Sequence, residues 1–144
     1  MRRRMIRAAI CAAAILIFPL AMDRAAADVV VKIDKGSQRM NVSVDGSSRY
    51  TWSVSTGLGG GPPSGAYRPV RLERKWFSHK YNWSPMPHAI FFREGYAIHG
   101  TNYVSRLGRR ASHGCVRLHP ENAAALFALV QKQGMGNTRI VVSN

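Results

Sequence analysis

From Val29 onward, apolar and polar positions alternate over short stretches. Val29 to Ile33 is a β-branched run that breaks at Lys35-Gly36-Ser37. Met40-Asn41-Val42-Ser43-Val44 alternates with period two and runs into Asp45-Gly46, a two-residue hairpin signal. Tyr50 to Val54 alternates again, so three short strands are predicted in succession. Gly57 to Gly65 (GLGGGPPSG) is too rich in Gly and Pro for regular structure and predicts a loop or tight turn. Tyr67 to Leu72 predicts one further strand, with Pro69 favouring a sheet edge. Trp76 to Pro87 (WFSHKYNWSPMP) shows neither period and predicts an aromatic loop, a candidate lid or pocket wall. Ala89 to Phe92 and Tyr96 to Ile98 predict a strand pair around Arg93-Glu94-Gly95, the second strand running into His99-Gly100. A helix is predicted from Pro120, a good first helical residue, with Glu121 in the first turn complementing the dipole. Leu126, Leu129 and Val130 mark one face of it, Phe127 lies beside them, and Gly134 is placed to end it. Arg139 to Val142 reads as a closing strand. The pattern describes a mainly β domain with one α-helix packed on it.

The chain begins differently. Met1 to Arg7 (MRRRMIR) is cationic, Ala8 to Met22 is almost unbroken apolar sequence, and Ala25-Ala26-Ala27 precedes Asp28. That order predicts a secretory signal peptide over residues 1–27 and a single domain over residues 28–144. A spanning helix needs about 20 apolar residues, more than this run supplies. Membrane contact is therefore expected only through a signal segment that stays uncleaved. Export also changes the cysteine arithmetic. Cys11 would leave with the signal, so Cys115 becomes the only thiol, an internal disulfide is excluded, and a reactive site becomes a candidate.

The formal net charge is +14, and losing five arginines and one aspartate with residues 1–27 would leave +10. Such a surface attracts polyanions. No basic run interleaved with aromatics marks a nucleic-acid groove, so no nucleic-acid partner is expected; an acidic extracytoplasmic substrate ranks first, with a generally basic proteome the alternative source of the charge.

Two segments carry candidate chemistry: Ile98-His99-Gly100-Thr101 and Ser112-His113-Gly114-Cys115-Val116-Arg117-Leu118. Cys115 fits three readings: a buried structural residue, a metal ligand, or a nucleophile. A free thiol is mostly protonated at neutral pH and needs a base or cationic surroundings to attack a carbonyl. His99 could be that base, and Arg117, Arg109 and Arg110 could supply positive potential. Gly114 gives room for backbone amides to meet an oxyanion. His99, His113, Cys115 and His119 include zinc-ligand types, yet neither C-x-x-C nor H-E-x-x-H spacing occurs, and no metal is expected. His79, His88 and His119 are expected as ordinary surface or packing residues.

IHGT followed by SHGCVRL resembles the signature of the L,D-transpeptidase catalytic domain, the YkuD-like family. Ser55-Thr56-Gly57 followed by Pro63-Ser64-Gly65-Ala66-Tyr67 is similar to another of its segments, as are Met86 to Gly100 and the Pro120 to Val142 terminus. Gly59-Gly60-Gly61-Pro62 departs from the family's usual threonine before the proline. The resemblance implies a YkuD-like β-sandwich or barrel with its helix in the C-terminal half, located in the periplasm or extracytoplasmic envelope. It implies a cysteine acyltransferase without a cofactor, whose partners are peptidoglycan stem peptides, both donor and acceptor. Cys115 would form a thioester, with His99 as its base and the Gly100 carbonyl orienting the imidazole. Amides of His113, Gly114 and Cys115 would form the oxyanion hole. His113 would be catalytic, or would orient the cysteine loop. Ser112 and Arg117 would position substrate, and Thr101, Tyr103 and Arg106 would line the donor site. The leading expectation is 3-3 cross-linking in cell wall biogenesis. Release of the acyl group by water or by a protein amine, and a non-catalytic wall-binding domain, are the alternatives.

Overall fold

A computed structural model describes residues 28–144, and the signal-peptide reading for residues 1–27, Cys11 included, lies outside the described residues. Strands β1 (Val29–Asp34), β2 (Arg39–Val44) and β3 (Ser47–Ser53) form an antiparallel meander. Val29, Val31 and Ile33 are buried while Lys32 faces solvent, the period-two pattern of a sheet with one covered face. Asp45 and Gly46 have φ of +50° and +80°. A two-residue hairpin turn needs both residues in this left-handed region, which Asp-Gly adopts readily.

The chain then crosses between two sheets. Strand β4 (Gly65–Tyr67) joins the first sheet and β5 (Arg71–Glu73) joins the second. The single strand expected over Tyr67 to Leu72 is therefore corrected to two. Pro69 has no N–H to continue a ladder, and the chain changes sheets at Arg68-Pro69. Both pieces are edge strands. The aromatic stretch after them is more regular than its pattern. It holds a small hairpin, β6 (Phe77–Ser78) and β7 (Ser84–Pro85), around a 3-10 turn at His79–Tyr81.

Strands β8 (Ala89–Arg93), β9 (Tyr96–Gly100) and β10 (Val116–Leu118) complete the second sheet, in the order β10-β9-β8-β5. Helix α1 (Pro120–Gln133) starts at a proline and packs on β8 and β9. Its cap is His119, whose Nδ1 accepts the Glu121 N–H at 3.3 Å. Gly134, with φ of +96°, follows its last turn. Strand β11 (Thr138–Ser143) lies parallel to β1 and completes the first sheet as β3-β2-β1-β11-β4. One apolar cluster joins both sheets to the helix. Val31, Ile33 and Ile140 come from the first sheet, Ile90, Ile98 and Leu118 from the second, and Leu126, Phe127 and Val130 from α1. Among the described residues the architecture is mainly β and sandwich-like, with one α-helix near the C-terminal half.

Candidate active site

The parallel pairing of β9 with β10 brings the two signature segments together. Its register is Ile98↔Val116, His99↔Arg117 and Gly100↔Leu118. As register partners on neighbouring strands His99 and Arg117 share a face, and Cys115 directly precedes β10. That face opens on a cavity of about 530 Å³ lined by Cys115, His99, Arg117, Thr101, Tyr103, Ser112 and His113 among others.

His99 is 6% exposed, and its Nδ1 lies 2.7 Å from the Gly100 carbonyl oxygen. A carbonyl can only accept, so Nδ1 carries the proton and Nε2 keeps a free lone pair. Burial, assisted by the Arg117 charge and opposed by the Gly100 carbonyl, lowers the His99 pKa to about 4. The imidazole is neutral at neutral pH. Cys115 is half-buried against Met86, Ala89, Phe91 and Ala97. Its Sγ donates to the Gly95 carbonyl at 3.6 Å. Burial pushes this thiol up, more than an Ala97 backbone hydrogen bond and the Arg117 charge draw it down. The cleft therefore pairs a neutral thiol with a neutral imidazole.

The loop before Cys115 is fixed by Ser112. Its buried hydroxyl donates to the Cys115 carbonyl at 2.6 Å and accepts the Gly114 N–H at 3.0 Å. The Gly114 amide is thus engaged by a hydroxyl two residues back. Gly114 is required by space and conformation. Its φ is +140°, and a Cβ there would meet Tyr96 Cε1 at 3.0 Å.

The other expected residues divide into those inside the cavity and those beside it. Arg117 is half-buried, and its Nη1 donates to the Ala111 carbonyl at 3.3 Å. The exposed Tyr103 ring centre lies 5.9 Å from the Arg117 guanidinium and 5.4 Å from that of Arg106. Arg106 itself is outside the cavity lining. Buried Thr101 accepts the Tyr103 N–H through Oγ1 at 3.0 Å, fixing the turn that presents Tyr103. The His113 ring stacks on Tyr81 of the β6–β7 hairpin, with centres 4.2 Å apart and planes 9° apart.

Several cavity residues carried no motif. His79, expected as an ordinary residue, lines the cavity with its ring centre 4.0 Å from that of Trp83. Arg71 reaches the cavity from β5, because its register partner on β8 is Phe91. Its guanidinium lies 4.0 Å from the Phe91 ring centre and 4.5 Å from that of Trp76, and it is paired with Glu73 at 3.0 Å. Glu94 lines the same cavity from the β8–β9 turn. The aromatic density of residues 76–83 was the one signal that pointed to this wall.

Fold and site together define a sandwich-like β domain with a cysteine–histidine cleft. Residues 28–142 match the model of the L,D-transpeptidase catalytic domain, and the chain belongs to that family. It is similar to the probable L,D-transpeptidase YbiS of Escherichia coli strain K12, with 49% identity over 43 residues, 30% of this chain and 14% of that protein. It is also similar in fold to an L,D-transpeptidase from Mycobacterium smegmatis, with a TM-score of 0.72, 24% identity, and coverage of 82% of this chain and 59% of that one. The structure of LdtMt1 in complex with imipenem gives a TM-score of 0.69, 22% identity, and coverage of 81% of this chain and 59% of that one. The chain thus spans well under two thirds of the length of these relatives.

Proposed function

We propose that this chain is an exported L,D-transpeptidase that joins peptidoglycan stem peptides through a thioester on Cys115, forming 3-3 cross-links. Family membership supports the reaction class. The observation that carries the reading is the shared face of β9 and β10, with Cys115 and the unprotonated Nε2 of His99 in one open cleft.

In the proposed reaction, Cys115 Sγ attacks the carbonyl of the third stem residue while His99 Nε2 takes the thiol proton. The tetrahedral oxyanion is held by the amides of His113 and Cys115. An imidazolium with a pKa near 4 is a strong acid, so it passes its proton to the departing D-alanine amine. The C–N bond breaks and the thioester remains. A second stem's amine then attacks the thioester, His99 accepts the amine proton, and Cys115 leaves and is reprotonated. Arg117 suits a stem carboxylate, and Ser112, Thr101 and Tyr103 shape the wall around the donor. Residues 1–27 act as the export signal to the periplasm or extracytoplasmic envelope.

The test is mass spectrometry of products from purified protein and disaccharide-tetrapeptide. The expected product is a cross-linked dimer that has lost one D-alanine, and Cys115→Ser forms none. Dimer formation by Cys115→Ser would overturn the assignment of the nucleophile. Tripeptide without dimer would identify water as the acceptor. By analogy with the imipenem complex of LdtMt1, a carbapenem is expected to acylate Cys115.

A further inference from the structure

Lys35 follows β1 directly, and only 5% of it is exposed. Its Nζ donates to the Gly60 carbonyl at 2.9 Å and to the Pro62 carbonyl at 3.0 Å. Among the described residues the single ion pair is Arg71–Glu73, so this buried amine meets carbonyl dipoles and no carboxylate. A buried lysine without a counter-charge is costly, and an aliphatic side chain would fill the same space at lower cost. What the amine does, and an aliphatic side chain cannot, is hold two carbonyls of the Gly57–Gly65 loop inward.

That loop lies against the cysteine loop. A Cβ on Gly57 would come within 2.9 Å of the Gly114 Cα, and one on Gly61 within 3.2 Å of the same atom. Both glycines are therefore pressed onto the backbone just before Cys115. Gly57 N–H donates to the Gly61 carbonyl at 2.8 Å, and Leu58 N–H donates to the Ser112 carbonyl at 3.0 Å. The amides of Ala111 and Ser112 both donate to the Thr56 carbonyl at 3.0 Å. Gln38 ties the arrangement to β2, with its Nε2 donating to the Lys35 carbonyl at 2.8 Å and its Oε1 accepting the Thr56 N–H at 2.9 Å. Contacts run without a gap from the Lys35 amine to Ser112 and Gly114.

We infer that Lys35 is a positioning residue for the oxyanion hole. By holding the Gly60 and Pro62 carbonyls it keeps the glycine loop behind Gly114, and so fixes the His113 and Cys115 amides. The inference rests on the acyl-enzyme reading of Cys115 given above. Its consequence is selective, because Lys35 matters only to reactions that build negative charge on oxygen. Acylation by a carbapenem does so: sulfur adds to the lactam carbonyl, oxygen takes the charge, and the C–N bond then breaks. Alkylation by iodoacetamide does not, since sulfur displaces iodide at carbon.

The experiment compares the purified protein with Lys35→Met in both reactions, with folding followed by circular dichroism. Acylation by imipenem is expected to slow about tenfold or more, below the ~10²–10³ loss typical of deleting an oxyanion donor outright. Alkylation is expected to stay within about twofold of the unaltered protein. Equal acylation rates would overturn the inference, and so would equal slowing of both reactions. If the unaltered protein is alkylated but never acylated, the acyl-enzyme reading falls and takes this inference with it. Should Lys35→Met not fold, Lys35→Gln is measured against the same outcomes.

Discussion

With Cys115 and His99 both neutral at rest, the proposed attack on the carbonyl includes transfer of the thiol proton to His99. The same burial makes His99 a liability in acid. Its folded pKa, about 4, lies below the ordinary 6.5, so between these values the unfolded chain binds a proton that the folded chain refuses. Stability is therefore present above pH 6.5 and is lost as pH falls toward 4, at up to about 1.4 kcal/mol per pH unit. Urea unfolding at pH 7 and pH 5 should show a loss about 2 kcal/mol greater for the unaltered protein than for His99→Gln. Equal losses would mean that His99 titrates normally in the folded state. Cys115 and His99 were legible from sequence because a thiol expected to stand alone after export and two His-Gly segments stand out locally. The bond from the Gly114 N–H to the Ser112 hydroxyl is equally local, but residue types alone do not show which amide a neighbouring hydroxyl engages. Lys35, Arg71 and Glu94 were not legible, since nothing near them in sequence shows what they face.

The β6–β7 hairpin carries the aromatic wall of the cleft, and its hold on the cysteine loop includes the Tyr81–His113 stack. Tyr81 is 36% exposed, so its removal leaves no buried cavity. A stacked ring pair is worth about 0.5–1.5 kcal/mol. Tyr81→Ala should therefore raise the KM for the donor stem roughly two- to tenfold while leaving the melting temperature almost unchanged. A large fall in melting temperature would give Tyr81 a structural role instead. Element by element, strands with a clear period were readable and the shortest were not. The alternation of β1, β2 and β3 and the Asp45-Gly46 turn were plain, as were the start and stop of α1. Two residues, as in β6 and β7, cannot display a period, and three barely can. The split of Tyr67 to Leu72 between sheets depends on partners far along the chain, β11 for one piece and β8 for the other.

Taken whole, the molecule is a cationic body with little internal neutralisation. Arg71, Lys80 and Arg117 line the cleft against one acid, Glu94, and Arg71 is the one cation of the described residues held in an ion pair. Composition made the charge visible from the start, whereas its concentration at the cleft required the β5–β8 and β9–β10 pairings. Positive clefts raise the local concentration of anionic substrates and speed encounter, and added salt screens that attraction, with a Debye length of about 10 Å at 0.1 M and about 3 Å at 1 M. For a stem bound in the cleft as proposed, screening matters less, and the chemical step does not depend on long-range attraction. Raising ionic strength from about 0.05 M to 0.5 M should thus lower kcat/KM on acidic stem peptides about tenfold, with kcat changed by less than about twofold. A donor whose free carboxylates are amidated should lose most of this salt dependence. If the amidated and acidic donors respond alike, the positive charge serves something other than substrate capture.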